Sequence, residues 1–343
     1  MNWKTTISLA AIASFAGTAP AAAEGELHIF NWGNYTNPKL IEKFEAETGV
    51  KVTLDSYDSN EDMVAKVRAG ATGYDIVVPS DYMVDIMREE GLLAETKPNE
   101  MENFKNVDPR WVDVYWDKGR NYSVPWQWGT TAFTVNTAVY DGDINTLAIL
   151  FDPPEALRGR INMLTDMNDV INAGLRYLDL PRCNSNPDDL RKLNELLQTA
   201  KPYWRTFDYA TIEKLTSGDV DASQQWNGAS MRAREQIPTM KYAYPKEGYT
   251  GWMDNVAVLK DAPNLENAKL FQNFIMDPEN AAMISDFAKY ANGIVGSDKF
   301  LDPEFANAPE IKIPDGAPDP EFVPPCPQEV TQMYDKIWTN LLK

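Results

Sequence analysis

The order of predicted strands and helices in the first hundred residues is the feature that most constrains the fold. Apolar, strand-like runs cover residues 27–31, 50–54 and 74–78, and an amphipathic helical pattern follows each of them. A β-α-β-α-β-α order implies a parallel sheet that is covered by helices. In open sheets of this kind, ligands bind beyond the carboxyl ends of the strands. We therefore expect an α/β fold whose binding site lies beside the turns after the first and third strands.

The helices that follow these strands have recognisable start and stop signals. Asn37 can cap the first helix, with Pro38 at its first position and Gly49 at its end. Asn60 is predicted to cap the second helix and Ser80 the third. These signals set the boundaries of the predicted β-α units.

The rest of the chain also mixes α and β patterns. Two extended segments, residues 122–136 and 245–259, are predicted to cross between two lobes. Residues 302–327 are rich in proline and acids and are predicted to wrap the surface. Further helices are predicted over residues 190–197, 212–215, 265–276 and 279–290.

The first residues have the pattern of an export signal. Lys4 gives a charged start, residues 7–16 are mostly apolar, and residues 21–23 form a small-residue cleavage site. The apolar run is too short to span a bilayer. We expect cleavage after Ala23, export across the inner membrane of a bacterium, and no membrane insertion by the mature chain.

The charge balance and the single histidine argue against several classes of function. The formal net charge is −19, which disfavours a nucleic-acid partner because phosphate binding needs a basic face. An acidic cleft would concentrate a small cation, although an acidic surface can also serve solubility alone. His28 is the only histidine and lies in a strand pattern. With one histidine, the sequence strongly disfavours Ser-His-Asp catalysis, Cys-His catalysis and a histidine-rich zinc site.

The chain contains two cysteines, Cys183 and Cys326. An exported protein with an even cysteine count can form one disulfide between them. Two unpaired buried thiols are the alternative, because the sequence does not show whether the two Cα atoms lie close enough to be bridged.

Aromatic residues are unusually dense in turn-like contexts. A cation–π contact that is shielded from water contributes about 2 kcal/mol, and a carboxylate completes an ammonium site by accepting its hydrogen bonds. Burial in the core is the alternative for each ring, but glycine, asparagine and aspartate beside the rings favour turns. The aromatic residues are Trp32, Tyr35, Tyr82, Trp126, Trp128, Trp226, Trp252 and Tyr290, and the neighbouring acids and amides are Asn34, Asp81, Asn227 and Asp254.

These stretches resemble the periplasmic spermidine/putrescine-binding proteins of polyamine ABC importers, within the bacterial extracellular solute-binding proteins. The resemblance covers nearly the whole mature chain. It is strongest in "FNWGNY", "SYDSNEDMVAKV", "GYDIVVPSDYMVDIMREEGLL", "QQWNGASMRARE" and "YPKEGYTGWMDNVAVL". The stretches are specific together, whereas any one of them alone would be weak.

The resemblance implies a two-lobe periplasmic-binding-protein fold, with a central sheet flanked by helices in each lobe and crossing hinge strands between them. Residues 24–129 and 252–298 would form the first lobe, and residues 130–251 and 299–343 the second. It further implies a periplasmic, monomeric, non-enzymatic protein without cofactor or metal, which captures a cationic amine and delivers it to an ABC permease. The implied ligand-binding residues are Trp32, Asn34, Tyr35, Ser80, Tyr82, Asp166, Asp169, Trp226, Trp252, Asp254, Tyr290 and Gln328.

The chain departs from the family pattern at two of these positions. Asn34 stands where family members commonly carry an acid, and Asp169 where they carry a glutamate. Fewer carboxylates at one end could suit a shorter diamine, a monoamine or a zwitterion. A diamine would be satisfied if Asp254 held one amine and Asp166 or Asp169 the other, because an unpaired buried ammonium costs several kcal/mol.

Two rival functions remain open at this stage. The same fold could bind GABA or a quaternary ammonium compound, and Arg205 is the candidate partner for a zwitterion's carboxylate. An exported hydrolase, such as a glycosidase that uses paired carboxylates, is the other rival. The sequence contains no P-loop, no GxGxxG and no GxSxG to support an enzyme.

Overall fold

The computed structural model describes residues 25–70 and 73–343. The predicted export signal and its cleavage site at Ala23 lie outside the described residues. Among the described helices, none is both long and apolar enough to cross a membrane.

The strands and helices alternate over the first hundred residues as predicted, which confirms the α/β class. The strands are β1 (Gly25–Trp32), β2 (Val50–Tyr57), β3 (Ile76–Val77), β4 (Asp113–Val114), β5 (Asp117–Lys118), β6 (Ser123–Asn136), β7 (Ile161–Met163), β8 (Trp204–Phe207), β9 (Ala222–Trp226), β10 (Met240–Tyr242), β11 (Thr250–Val258) and β12 (Glu321–Phe322). The helices are α1 (Pro38–Thr48), α2 (Asn60–Arg68), α3 (Asp81–Glu89), α4 (Ala148–Phe151), α5 (Met167–Tyr177), α6 (Pro187–Ala200), α7 (Thr211–Thr216), α8 (Asn227–Gln236), α9 (Leu265–Ile275), α10 (Pro278–Ala288), α11 (Pro303–Ala306) and α12 (Gln328–Leu342).

One curled sheet runs through the whole fold. Its strand order is β2-β1-β3-β11-β6-β9-β7-β8, with β10 added to β6 and β12 to β11. β1 pairs in parallel with β2 and β3, whereas β11 and β6 pair antiparallel with each other and with their outer neighbours β3 and β9. The two long segments predicted as extended chain therefore form the centre of the sheet, where they connect its two halves.

Separate hydrophobic cores lie on the two sides of these central strands. One core surrounds β1 to β3 and includes Leu27, Phe44 and Ile76. Another surrounds β7 to β9 and includes Met163 and Leu193. We refer to the two halves as the first and second lobes. The residue boundaries predicted for the lobes stay a prediction.

The start and stop signals of α1 act as predicted. The Asn37 side chain accepts a hydrogen bond from the Lys39 amide (3.0 Å), Pro38 is the first helical residue, and Gly49 adopts a left-handed conformation with φ 77°. For α2 the predicted cap is wrong by one residue. Ser59 caps it by accepting a hydrogen bond from the Asp62 amide (3.1 Å).

The predicted last helix of the first lobe is shorter than its periodicity indicates. α10 ends at Ala288, because Lys289 adopts a left-handed conformation with φ 64°. Its amide still bonds to the Ser285 carbonyl (2.7 Å), which closes the last turn. Tyr290 therefore lies just beyond the helix, where the chain no longer follows the helical path.

A disulfide joins Cys183 and Cys326 across a sequence separation of 143 residues, with 5.3 Å between their Cα atoms. It ties the segment after α5 to the segment before α12. The proline-rich chain from 302 to 327 is held here and by β12, which pairs with β11.

Candidate ligand-binding cleft

A cavity of ≈ 220 Å³ lies between the two lobes. Ligand pockets for drug-sized molecules usually measure about 300–1,000 Å³, so this one suits a smaller ligand. Most of the residues expected at a binding site line it, namely Trp32, Asn34, Tyr35, Ser80, Tyr82, Asp166, Asp169, Trp226, Trp252, Asp254 and Tyr290. Gln328 does not, since it is exposed at the first position of α12.

Asp254 is held in the cavity by an irregularity in β11. The register between β11 and β6 shifts between Asp254 and Asn255, and an isolated bridge links Asp254 to Ser80. Bulges of this kind are common next to binding sites, where they redirect a side chain. The Asp254 carboxylate accepts hydrogen bonds from the Ser80 hydroxyl (2.7 Å) and the Tyr35 hydroxyl (2.9 Å).

Asp254 is buried, with 5 % of the residue exposed. Burial raises its pKa to about 7, although the hydrogen bonds from Ser80 and Tyr35 oppose that rise and favour the ionised form. Both donors are neutral hydroxyls. A cation that bound this carboxylate would supply the positive countercharge that the two hydroxyls do not provide. Asp254 is therefore suited to pair with an ammonium group.

Ser80 serves the cavity instead of its own helix. It occupies the cap position of α3 but makes no side-chain capping bond, because its hydroxyl is directed to Asp254. Asn60 fixes it from α2, where its amide group donates to the Ser80 hydroxyl (3.1 Å) and accepts from the Ser80 amide (3.1 Å). The cap position predicted for Ser80 is confirmed, but its side chain does not cap the helix, and the cap predicted at Asn60 is wrong because Ser59 occupies that position.

A group of acids forms a second negative region. Asp166 caps α5 and accepts a hydrogen bond from the Asp169 amide (3.1 Å). Burial raises the pKa of Asp166 and of Asp169, and the charge of Asp166 raises that of Asp169 further. Carboxylates crowded in this way repel one another, so a bound cation would relieve the repulsion.

Glu61 is a further buried acid close to this region, and sequence reasoning missed it. Burial, followed by the charge of Asp166, raises the Glu61 pKa to about 8. Its carboxylate accepts hydrogen bonds from the Asn168 amide (2.9 Å) and the Tyr82 hydroxyl (3.0 Å). Glu61 lies in "DSNED", which looks like a plain turn and helix start, so the sequence offers no signal for it.

Aromatic rings form the walls of the cavity. Trp32 lies parallel to Tyr209 at 6.2 Å between ring centres, and Tyr209 lies 5.2 Å from Trp226. On the other side, Trp252 meets Tyr290 edge to face at 5.2 Å. The flat faces could cover the alkyl chain of a ligand and attract its cationic ends.

Sequence reasoning also missed Tyr209. It lies in "FDYA", directly after β8, where Asp208 precedes the ring as Asp81 precedes Tyr82. That pattern could have revealed it. By contrast, Trp126 is 2 % exposed and packs in the core against Phe271, and Trp128 packs against Trp111. Burial in the core was the correct interpretation for Trp126, whereas Trp128 is partly buried and packs against the edge of a core.

Arg205 is wrong as a candidate partner for a zwitterion. It bonds to Asp219 (2.6 Å), its side chain is 52 % exposed, and it does not line the cavity. Two other arginines do, Arg182 and Arg232. The Arg232 guanidinium donates to the side chain of Asn34 (2.9 Å) and to its backbone carbonyl (3.2 Å).

Comparisons with known proteins agree with this geometry. Residues 39–313 match the family described as bacterial extracellular solute-binding protein. The chain is 33 % identical over 304 residues to a spermidine/putrescine-binding periplasmic protein of Salmonella typhimurium, covering 88 % of this chain and 87 % of that protein. It is 30 % identical to a putrescine-binding periplasmic protein of Pseudomonas aeruginosa, covering 98 % and 97 %.

Solved structures show the same architecture. A candidate spermidine/putrescine ABC transporter protein of Listeria monocytogenes superposes with a TM-score of 0.86 at 30 % identity, covering 92 % of this chain and 98 % of that one. The substrate-binding protein of a spermidine/putrescine ABC transporter of Streptococcus pneumoniae gives 0.75 at 25 % identity, covering 93 % and 99 %. The two-lobe fold expected from the sequence is confirmed.

Proposed function

This chain belongs to the bacterial extracellular solute-binding protein family, and from that premise we propose that it captures a linear cationic amine of the putrescine and spermidine class. The ligand binds in the cleft between the lobes. The loaded protein, an exported periplasmic monomer, docks on the permease of an ABC transporter and releases the amine to it. The amine leaves chemically unchanged, without catalysis or cofactor.

The observation that carries the proposal is the environment of Asp254. This buried carboxylate accepts hydrogen bonds from two neutral hydroxyls and faces a cavity walled by aromatic rings. Taking an ionised carboxylate out of water costs several kcal/mol unless a partner compensates for it. An ammonium ion is such a partner, and the rings around it shield the pair from water.

The remaining residues have complementary roles in the proposal. Trp32, Trp226 and Trp252 stack on the ligand's alkyl chain. Asp254 binds one amine, and Asp166 or Asp169 binds the other. Ser80, Tyr35, Tyr82, Asn34 and Tyr290 complete the lining, whereas nothing in the position of Gln328 supports a role for it.

Isothermal titration of the purified protein with putrescine, cadaverine, agmatine and spermidine tests the proposal. We expect at least one of these amines to bind, and we expect Asp254→Asn to weaken its binding by about 2–5 kcal/mol, since one buried ammonium then loses its countercharge. Asp143→Asn is the matched control, because Asp143 is exposed and lies outside the cleft. The absence of heat with all four amines would overturn the proposal.

A further inference from the structure

Two arginines, Arg182 and Arg232, line the cleft together with its acids, and Arg232 is the one that reaches across to the opposite lobe. Arg232 lies on α8 in the second lobe and reaches Asn34, which lies in the turn after β1 in the first lobe. Both oxygens of Asn34 accept hydrogen bonds from the guanidinium, at 2.9 Å and 3.2 Å. Because an amide has no charge, the positive charge of Arg232 is not neutralised by Asn34.

Two phenols line the same cavity as this guanidinium and Asp254. The Tyr290 hydroxyl accepts a hydrogen bond from the Ala229 amide (3.1 Å), in the first turn of the helix that carries Arg232. The Tyr209 hydroxyl donates to the carbonyl of Gly33 (3.2 Å), next to Asn34 in the chain. Burial raises the pKa of each phenol, Arg232 lowers it and Asp254 raises it, so both charges act on the same pair of rings.

The charges lie at different places along the cleft. Asp166 and Asp169 flank Asn168, which bonds to Glu61 and Tyr82. Arg232 lies on the side of Asp254, because it bonds to Asn34, and the next residue, Tyr35, donates to Asp254. The charge of Asp166 reaches Asp254 and adds to the rise in its pKa, after the larger effect of burial. A ligand with two ammonium groups can pair both of them with carboxylates and leave Arg232 untouched.

We propose that Arg232 is a specificity-determining residue that favours a diamine over a triamine, an inference that rests on the proposed function. A triamine that used the same carboxylates would extend its third ammonium past Asp254 toward the guanidinium. Like charges placed together in a partly dehydrated cleft are a general means of rejecting a wrong partner. Asn34 strengthens this effect, because it anchors Arg232 without supplying the negative charge that an acid would.

A purely mechanical role for Arg232 is the alternative. Its bonds to Asn34 cross from one lobe to the other, so they could simply hold the cleft closed. A closing contact would stabilise the complexes of every amine by the same factor. The ratio of the two dissociation constants separates the two roles, since only a charge effect depends on the ligand's third ammonium.

The test measures dissociation constants for putrescine, which is a diamine, and spermidine, which is a triamine, by isothermal titration. We expect the wild-type protein to prefer the diamine by about tenfold or more, and Arg232→Ala to reduce that preference about tenfold, which corresponds to about 1.4 kcal/mol. Arg232→Lys should keep most of the preference, because it keeps the charge. Arg205→Ala is the matched control, since it removes an exposed arginine outside the cleft and should leave the ratio unchanged.

Asn34→Asp provides an independent variant that leaves Arg232 in place. Asn34 has φ 57°, a conformation that aspartate also tolerates, so the turn should persist. The added carboxylate neutralises the guanidinium and should raise the relative affinity for spermidine. Equal or tighter binding of spermidine by the wild type, or equal changes for both amines in Arg232→Ala, would overturn the inference while leaving the proposed function standing. Failure of every amine to bind would overturn both.

Discussion

At the scale of single residues, the site depends on one buried carboxylate whose neighbours are chosen to keep it available. Ser80 and Tyr35 each donate one hydrogen bond to Asp254, and neither brings a positive charge. An arginine or lysine in the same place would have neutralised the carboxylate permanently. Two neutral donors fix its orientation and leave its charge for a ligand.

The raised pKa of Asp254 predicts a pH-dependent stability for the ligand-free protein. An aspartate has a pKa of 3.8 when it is unperturbed, and burial raises that of Asp254 to about 7. The folded chain therefore holds this proton more tightly than the unfolded chain, so Asp254 stabilises the fold below about pH 4 and loses that contribution as the pH rises to about 7. The loss is on the order of a few kcal/mol.

Denaturant unfolding of the wild type and of Asp254→Asn at several pH values checks this prediction. The wild type should lose stability relative to the variant between about pH 4 and pH 7. A cationic ligand should reverse the trend, because it favours the ionised carboxylate and expels the proton on binding at about pH 6. A difference between the two proteins that stays constant, or grows in favour of the wild type, would contradict the assignment.

At the scale of elements, close contact between α8 and the end of α10 positions the aromatic wall. A Cβ on Gly228 would lie 2.5 Å from the Lys289 carbonyl oxygen and 2.5 Å from two ring carbons of Tyr290. Only glycine allows α8 to begin so near to Tyr290. The "WNG" sequence thus places Trp226 in the cleft and leaves space for the tyrosine opposite.

Gly228→Ala should therefore damage the protein in two ways. We expect a destabilisation of about 1–3 kcal/mol, because overpacking forces backbone or side-chain shifts. We also expect weaker binding of the amine that the wild type binds, because the Tyr290 ring must move. Thermal unfolding and titration calorimetry measure the two effects. Wild-type stability and affinity in Gly228→Ala would contradict the close approach of Gly228 to Lys289 and Tyr290.

At the scale of the whole molecule, hydrogen bonds link the two lobes across the cleft, which is therefore closed. Asn168 on α5 donates to Glu61 (2.9 Å) and to Tyr82 (3.2 Å), both in the first lobe. The lobes are connected through the long central strands β6 and β11. Closure by a hinge in these connections would bring the acids of the second lobe toward Asp254 in the first.

Asn168→Ala should weaken the binding of every amine by a similar factor, equivalent to about 1 kcal/mol. The substitution removes a contact between the lobes without changing the charge of the cleft. Asn340→Ala is the matched control, since the Asn340 side chain bonds within the second lobe, to Asn194. Small-angle scattering should also show a smaller radius of gyration with amine than without it. An unchanged radius, or a loss confined to one amine, would contradict hinge closure.

The sequence by itself determined the α/β class, the order of the first strands and helices, and the aromatic residues that line the cleft, apart from Tyr209. These follow from local periodicity, from caps such as Asn37 and Gly49, and from aromatic residues beside acids in turns. The resemblance to a known family added the residue bounds of the two lobes and the expectation of Asp166 and Asp169 in the site.

Only the tertiary structure decided which distant residues act together. Ser80 looks like a helix cap from its neighbours in the chain, but its hydroxyl bonds to Asp254, 174 residues away. Glu61 and Arg232 carry no local mark of function, and they matter because folding places them beside Tyr82 and Asn34. The physical reason is that hydrogen bonds and charges act through distances in space, whereas periodicity and capping act only between neighbours along the chain.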